Sequence, residues 1–209
     1  MFSLYDPVGR KINSFTLIEL ITVITLVSIF LFFLVQLNVT GNNENQQIKT
    51  AIALLASSFD NAREQAIAGN IYAKIFIDTS SDLKFRRIAI IKQTKNGWIT
   101  EREILLPEHT FIIPLDNLSK HLDNKDLSGY TYLDEEAVLQ GESVSGYDFT
   151  FTPEGRLFSG AATIIAIGYG AKVGNGIKLK KDTNISGLMV TVMGSRVILE
   201  SKDAIKGAI

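Results

Sequence analysis

The sequence predicts an α+β protein in which a long amino-terminal helix packs on antiparallel β-sheet. Three observations predict it: an uncharged apolar run near the amino terminus, an apolar stripe at helical spacing after it, and beyond that only strand-like segments punctuated by turn residues. The helix has a transmembrane part and an amphipathic part. The expected organisation is residues 1–14 as a short polar leader, 15–40 as a transmembrane helix, 41–70 as linker and amphipathic helix, and 71–209 as a β-rich globular domain.

The apolar run carries no charge from Leu20 to Val35, and its polar members Thr22, Thr25 and Ser28 can bond back to helix carbonyls. Phe15 to Val39 makes 25 residues. At ~1.5 Å per residue that is about 37 Å, enough for a hydrocarbon core of ~30 Å. No small-residue cleavage site of the A-x-A kind follows at Leu37 to Asn43, so a conventional secretory signal is not indicated. A plain anchor would explain the length and would keep Arg10 and Lys11 on the cytoplasmic side. It would not explain Glu19. A carboxylate near the centre of a membrane helix costs ~2.5 to 3.5 kcal/mol on insertion scales, less near an end, and such residues point to function.

The stretch FTLIEL, Phe15 to Leu20, stands after a polar leader with a basic pair and before an apolar helix. It resembles the amino-terminal processing signal of type IV pilins and type II secretion pseudopilins. The resemblance implies that a prepilin peptidase cuts between Ser14 and Phe15 on the cytoplasmic side and methylates the new amino terminus. Glu19 then becomes the fifth mature residue, where the family keeps a glutamate. A carboxylate one helical turn from a new amine can neutralise it, or the amine of a neighbouring subunit, so charge pairing in lipid becomes an assembly register. The family favours glycine just before the cut, and this chain has Ser14 there.

Past Gly41 to Gln47, a polar interruption, Ile48, Ile52, Leu55, Phe59, Ala62 and Ala66 recur at spacings of four and three, and Gly69 with Asn70 supplies a stop. Strands are expected at Ile71 to Asp78, at Phe85 to Gln93, from Trp98 after a turn at Asn96-Gly97, and at Thr110 to Ile113, Tyr147 to Thr152 and Ala162 to Ile167. The last two, Leu188 to Met193 and Arg196 to Glu200, form a hairpin about Gly194-Ser195. Asp116 to Ser145 reads as a polar loop or weakly ordered insertion. The segments LLASSFDNAREQAIAGNIYAKIFID, FTPEGRLF and GSRVILE are similar to those of the minor H-type pseudopilins and related minor type IV pilins. The fold that this implies is pilin-like.

Little in the chain suggests catalysis. His109 and His121 have no partner at metal-motif spacing, and the absence of cysteine removes thiolate ligands and nucleophiles. Ser81 to Lys84 spells S-x-x-K inside a polar turn, Gly141 to Gly146 lacks the second glycine of a nucleophile elbow, and Gly168 to Gly176 misses dinucleotide spacing. Asp123, Asp126, Asp134, Glu135 and Glu136 read as a solvated acidic loop. Lys125 and Leu127 stand where a calcium loop needs oxygen ligands. No enzyme activity, cofactor or metal site is expected.

Net charge is -1, which argues against wholesale nucleic-acid binding. Its distribution is uneven: Glu101 to Gly160 holds twelve acidic and four basic residues, a balance of -8, and Ala171 to Ile209 three acidic and seven basic, +4. The function expected is a minor pseudopilin or pilin-like subunit, held in the bacterial inner membrane by one span with a periplasmic carboxy-terminal domain. By the resemblance, its partners are the prepilin peptidase, other pilin or pseudopilin subunits and an inner-membrane assembly platform, and its context is protein transport by type II secretion or a type IV pilus. The alternative is a DNA-binding minor pilin for DNA uptake, using Lys178, Lys180 and Lys181 against phosphate.

Overall fold

The computed structural model describes residues 16–41, 43–130, 132–174 and 176–209, with side chains from 32 to 43 left undescribed. The chain falls into two units, Met1–Asn43 and Glu44–Ile209. The first contains helix α1, Leu17–Gly41, 25 residues long. Every described side chain from Thr16 to Leu31 is exposed, so over these residues the helix presents apolar side chains on all sides. Its described side chains stop at Leu31, and among the described residues no helix is long and apolar enough to cross a membrane.

Helix α2, Asn43–Gly69, opens the second fold unit's core. Its predicted stripe is buried throughout: Ile48, Ile52, Leu55, Phe59, Ala62 and Ala66 are each at most 4% exposed. The helix ends as the sequence suggests. Asn70 takes φ 47°, its N–H donates to Ile67 O at 3.3 Å, and the Ile71 N–H donates to Ala66 O at 3.1 Å, the paired bonds of a Schellman cap.

The strands form two antiparallel sheets. In the first, β3 (Gly97–Leu105), β2 (Arg87–Thr94), β1 (Ala73–Asp78), β6 (Glu142–Phe151) and β5 (Leu133–Leu139) lie in that order. In the second, β10 (Arg196–Leu199), β9 (Ile185–Val190), β7 (Thr163–Val173) and β4 (Thr110–Ile113) are neighbours, with β8 (Gly176–Leu179) paired to β7. Alternation decides the faces of β1. Ala73, Ile75 and Ile77 join the α2 stripe, Phe149, Phe151, Ile165, Ile167, Leu188 and Val190 in the main core. Lys74, Phe76 and Asp78 point to the other face, where Phe76, Ala89, Ile91, Leu139 and Val144 make a small second cluster. Phe59 anchors the main core, its ring 5.6 Å from Phe149 and 6.0 Å from Phe151. Two short helices, α3 (Leu115–His121) and α4 (Lys202–Ala208), bring Leu118 and Ile205 against Ile113, Ile164, Ala166 and Ile185 on the second sheet's other face.

The structure refines one expectation and corrects another. The antiparallel β-sheet expected under the helix is present, divided into two sheets whose inward residues both pack on the α2 stripe. The predicted loop from Asp116 to Ser145 contains most of α3, all of β5 and the start of β6. Strand β5 reads LDEEAVL and is exposed at four of its first four positions, so no alternation announces it. It exists because its backbone pairs with β6, Leu133 opposite Asp148 through Leu139 opposite Glu142.

Candidate functional site

The junction between Ser14 and Phe15 lies outside the described residues. The described residues begin at Thr16, which forms a cap with Glu19. The Thr16 N–H donates to Glu19 Oε2 at 2.9 Å, the Thr16 hydroxyl donates to the same oxygen at 2.8 Å, and the Glu19 N–H donates to Thr16 Oγ1 at 3.3 Å. This is a reciprocal capping box, Thr-x-x-Glu, and it places the Glu19 carboxylate at the positive end of α1. Thr22, Thr25 and Ser28 donate to the carbonyls of Ile18, Ile21 and Ile24 at 2.7, 2.8 and 2.8 Å, so their hydroxyls are satisfied within the helix as expected.

The second predicted group is brought together, with a neutralising partner that the sequence did not suggest. Lys178 lies on β8, and Lys180 and Lys181 follow it. Glu44, in the first turn of α2, pairs with Lys180 and stands 4.0 Å from Lys181. Lys180 also lies 5.8 Å from the centre of the Tyr169 ring. These pairings hold the Glu44 carboxyl below its usual range, the Lys180 hydrogen bond being the main cause. Lys178 and Lys180 line an open groove of about 490 Å³ with His109, Tyr169 and Leu179. Other cations of the basic end are also engaged: Arg196 with Asp60, Lys172 with Asp82, and both Lys202 and Lys206 with Asp123.

The acidic loop residues disperse accordingly. Asp126 accepts the Ser128 N–H at 2.9 Å, and Glu135 turns to Lys74. Among the described residues no group of three His, Asp or Glu could hold a metal ion. His121 Nδ1 is 3.2 Å from Asp182 Oδ1, and the His109 ring rests 5.7 Å from Tyr169. The Ser81 hydroxyl of the S-x-x-K sequence donates to Asp78, which fixes the β1–β2 connection.

Sequence reasoning missed a buried lysine and the two carboxylates around it. Lys74 is 4% exposed and donates to Asp148 Oδ2 and Glu135 Oε2, both at 2.8 Å, with its Nζ 4.8 Å from the centre of the Trp98 ring. Burial works to lower the Lys74 ammonium, but the two carboxylates outweigh it and raise its pKa, and the Lys74 hydrogen bond holds Glu135 below its usual range. The only sequence signal was lysine at a strand position with apolar neighbours, which looks like ordinary alternation.

No family model and no curated protein matches the chain. Among solved structures, it is similar to the type IV minor pilin FimU of Pseudomonas aeruginosa PAO1, at 13% identity and a TM-score of 0.46 over 73% of this chain and 88% of that one. It is also similar to the minor pseudopilin EpsH of the type 2 secretion system of Vibrio cholerae, at 13% identity and 0.45 over 74% and 97%. The α+β class itself rests on the sheet pairings and the α2 core.

Proposed function

We propose that the chain is a pilin-like filament subunit of the minor pseudopilin or minor type IV pilin kind. It is made with a leader, cut between Ser14 and Phe15 by a prepilin peptidase, held in the bacterial inner membrane by α1, and assembled with fellow subunits through that helix. The observation that carries this reading is the exposed, apolar α1 headed by the Thr16–Glu19 cap, immediately after the FTLIEL junction. A helix apolar on every side needs lipid or other helices around it. A cut before Phe15 leaves Glu19 as a carboxylate beside a new amine, which in lipid is worth most when paired.

The domain after α1 would then face the periplasm and meet other subunits, the assembly platform or cargo. The DNA-uptake alternative has no described observation in its favour, because Glu44 occupies two of its three lysines. Mass spectrometry of the chain co-expressed with a prepilin peptidase tests the proposal. Loss of Met1 to Ser14 is expected, with or without a methyl group on Phe15, and an intact leader beside a processed control pilin would overturn it. Glu19→Ala should leave membrane insertion intact and abolish most filament assembly.

A further inference from the structure

The face of the first sheet that carries Lys74, turned away from the α2 core, holds a cleft at the start of β1. Strand pairing puts the lining residues on one side. Thr150 lies opposite Lys74, Leu133 lies opposite Asp148, and the Phe158 N–H donates to Thr150 O at 2.8 Å. On the other flank, the Gln93 N–H donates to Tyr72 O at 2.9 Å, and Gln93 pairs with Trp98 of β3. The space that Tyr72, Trp98, Leu133, Thr150 and Phe158 enclose with the Lys74 group is about 370 Å³.

The floor of this cleft is charged and its walls are aromatic. Lys74 and Asp148 are 4% and 5% exposed and hydrogen-bonded to each other. An apolar pair would serve stability there at least as well, so a buried ion pair beside open space points to binding. The polar groups keep capacity for a ligand. Lys74 takes Glu135 at Oε2, which leaves Oε1 of a half-exposed side chain. The Thr150 hydroxyl donates to Asp148 Oδ1 at 2.8 Å, so its oxygen can still accept. Beside these groups stand Tyr72, Trp98 and Phe158, the last two 45% and 63% exposed.

These two features select the class of ligand. A cation entering the cleft meets Lys74, and an anion meets Glu135 and Asp148. A neutral hydroxyl both donates and accepts, so it can bond to either sign without repulsion. The aromatic walls suit a ligand with a C–H face, whose weakly positive hydrogens rest on the negative face of a ring. A flat nucleobase would need parallel walls, whereas the Tyr72 and Phe158 rings stand at 82° to each other and form a corner. A pyranose ring combines the C–H face with a rim of hydroxyls.

We propose that this cleft binds a neutral pyranose unit of a glycan, its C–H face on Phe158 and its hydroxyls bonded to Glu135 and Thr150. Trp98 closes the opposite wall. The volume lies at the small end of ligand pockets, which suits a single sugar ring with its neighbours in solvent. The ligand rests on the face of the sheet and leaves every strand pairing in place. The proposal does not depend on the filament reading.

Trp98 is the chain's one tryptophan, so its fluorescence reports on this cleft. The full chain, in a polyoxyethylene detergent without sugar headgroups, is titrated with maltotriose, cellotriose, mannotriose and the trimer of N-acetylglucosamine. Choline and trigalacturonate serve as the cationic and anionic comparisons. At least one neutral trisaccharide should change Trp98 emission saturably, and neither charged compound should. Phe158→Ala, at a position too exposed to matter to the core, should weaken binding about fivefold, and Glu135→Gln by a similar factor. Lys178→Glu, in a different groove, should leave binding unchanged. The assignment is overturned by no saturable change with any of the four sugars, or by a stronger response to choline or trigalacturonate. Unaltered affinity in Phe158→Ala or Glu135→Gln, with a native circular dichroism spectrum, would overturn it equally.

Discussion

Asp78 closes the connection between β1 and β2, and its carboxylate is fully buried. One oxygen accepts the N–H groups of Ser80 and Ser81 at 2.9 and 3.0 Å, and the other accepts the Ser81 hydroxyl and Arg87 Nε, the latter at 2.9 Å. Burial alone would raise its pKa, but the hydrogen bonds from Ser81, Ser80 and Arg87 outweigh burial and take it below the ordinary 3.8. A folded value below the unfolded one means that the unfolded chain binds the proton more tightly. The stabilisation is complete above about pH 4 and is lost as pH falls through the depressed folded value. Asp78→Asn should therefore cost about 3 kcal/mol at neutral pH, since it takes from Arg87 its close carboxylate and leaves Glu103 3.9 Å away. The gap between the parent and the variant, followed by denaturant unfolding, should narrow below pH ~4. A gap independent of pH would show that the carboxylate's charge contributes nothing.

Strand β6 illustrates what elements demand that single letters do not show. Gly146 pairs with Asp78, and a Cβ built on it would lie 2.2 Å from the Ile77 carbonyl oxygen and 2.5 Å from the Phe76 ring. The backbone of β1 can approach only because the side chain is absent. Gly146→Ala should destabilise by about 1–3 kcal/mol through forced separation of β1 and β6. Gly129→Ala, into open space, should stay within about 0.5 kcal/mol, and equal effects of the two in thermal unfolding would remove the steric account. The helices were legible because a stripe from Ile48 to Ala66 repeats over many turns and ends on an Asn that accepts a left-handed conformation. Strands β5 and β8 and helices α3 and α4 were not: β5 shows no alternation and depends on β6, β8 has four residues and depends on β7, and the two helices are only seven residues long, α4 leaning on β9 and β10.

Across the whole molecule, the charge asymmetry of the sequence is partly undone by the fold. The basic end places Lys180 and Lys181 on Glu44, Arg196 on Asp60, and Lys202 and Lys206 on Asp123, carboxylates far away in sequence. Exposed pairs of this kind add little to stability, yet they lower the potential that phosphate would meet. Duplex DNA titrated by fluorescence anisotropy should bind weakly, and Lys178→Glu, Lys180→Glu and Lys181→Glu together should change that little. A steep salt dependence in the parent, abolished in the triple variant, would restore the DNA-uptake reading. The acidic excess from Glu101 to Gly160 is partly matched in the same way, Glu101 by Lys92 and Glu135 by Lys74.

The sequence by itself determined the local features: the apolar run with Glu19 in it, the α2 stripe and its stop, and most strands flanking a turn. Each depends on residues within a few positions, where periodicity and capping act. Only the tertiary structure decided that the strands divide into two sheets, that Asp116 to Ser145 is ordered, and that Lys74, Glu135, Asp148 and Trp98 share one cleft. Lys74 and Asp148 stand 74 positions apart, and their meeting is fixed by strand register. Register follows from burying one face of β1 against α2, a constraint that no local stretch of sequence contains.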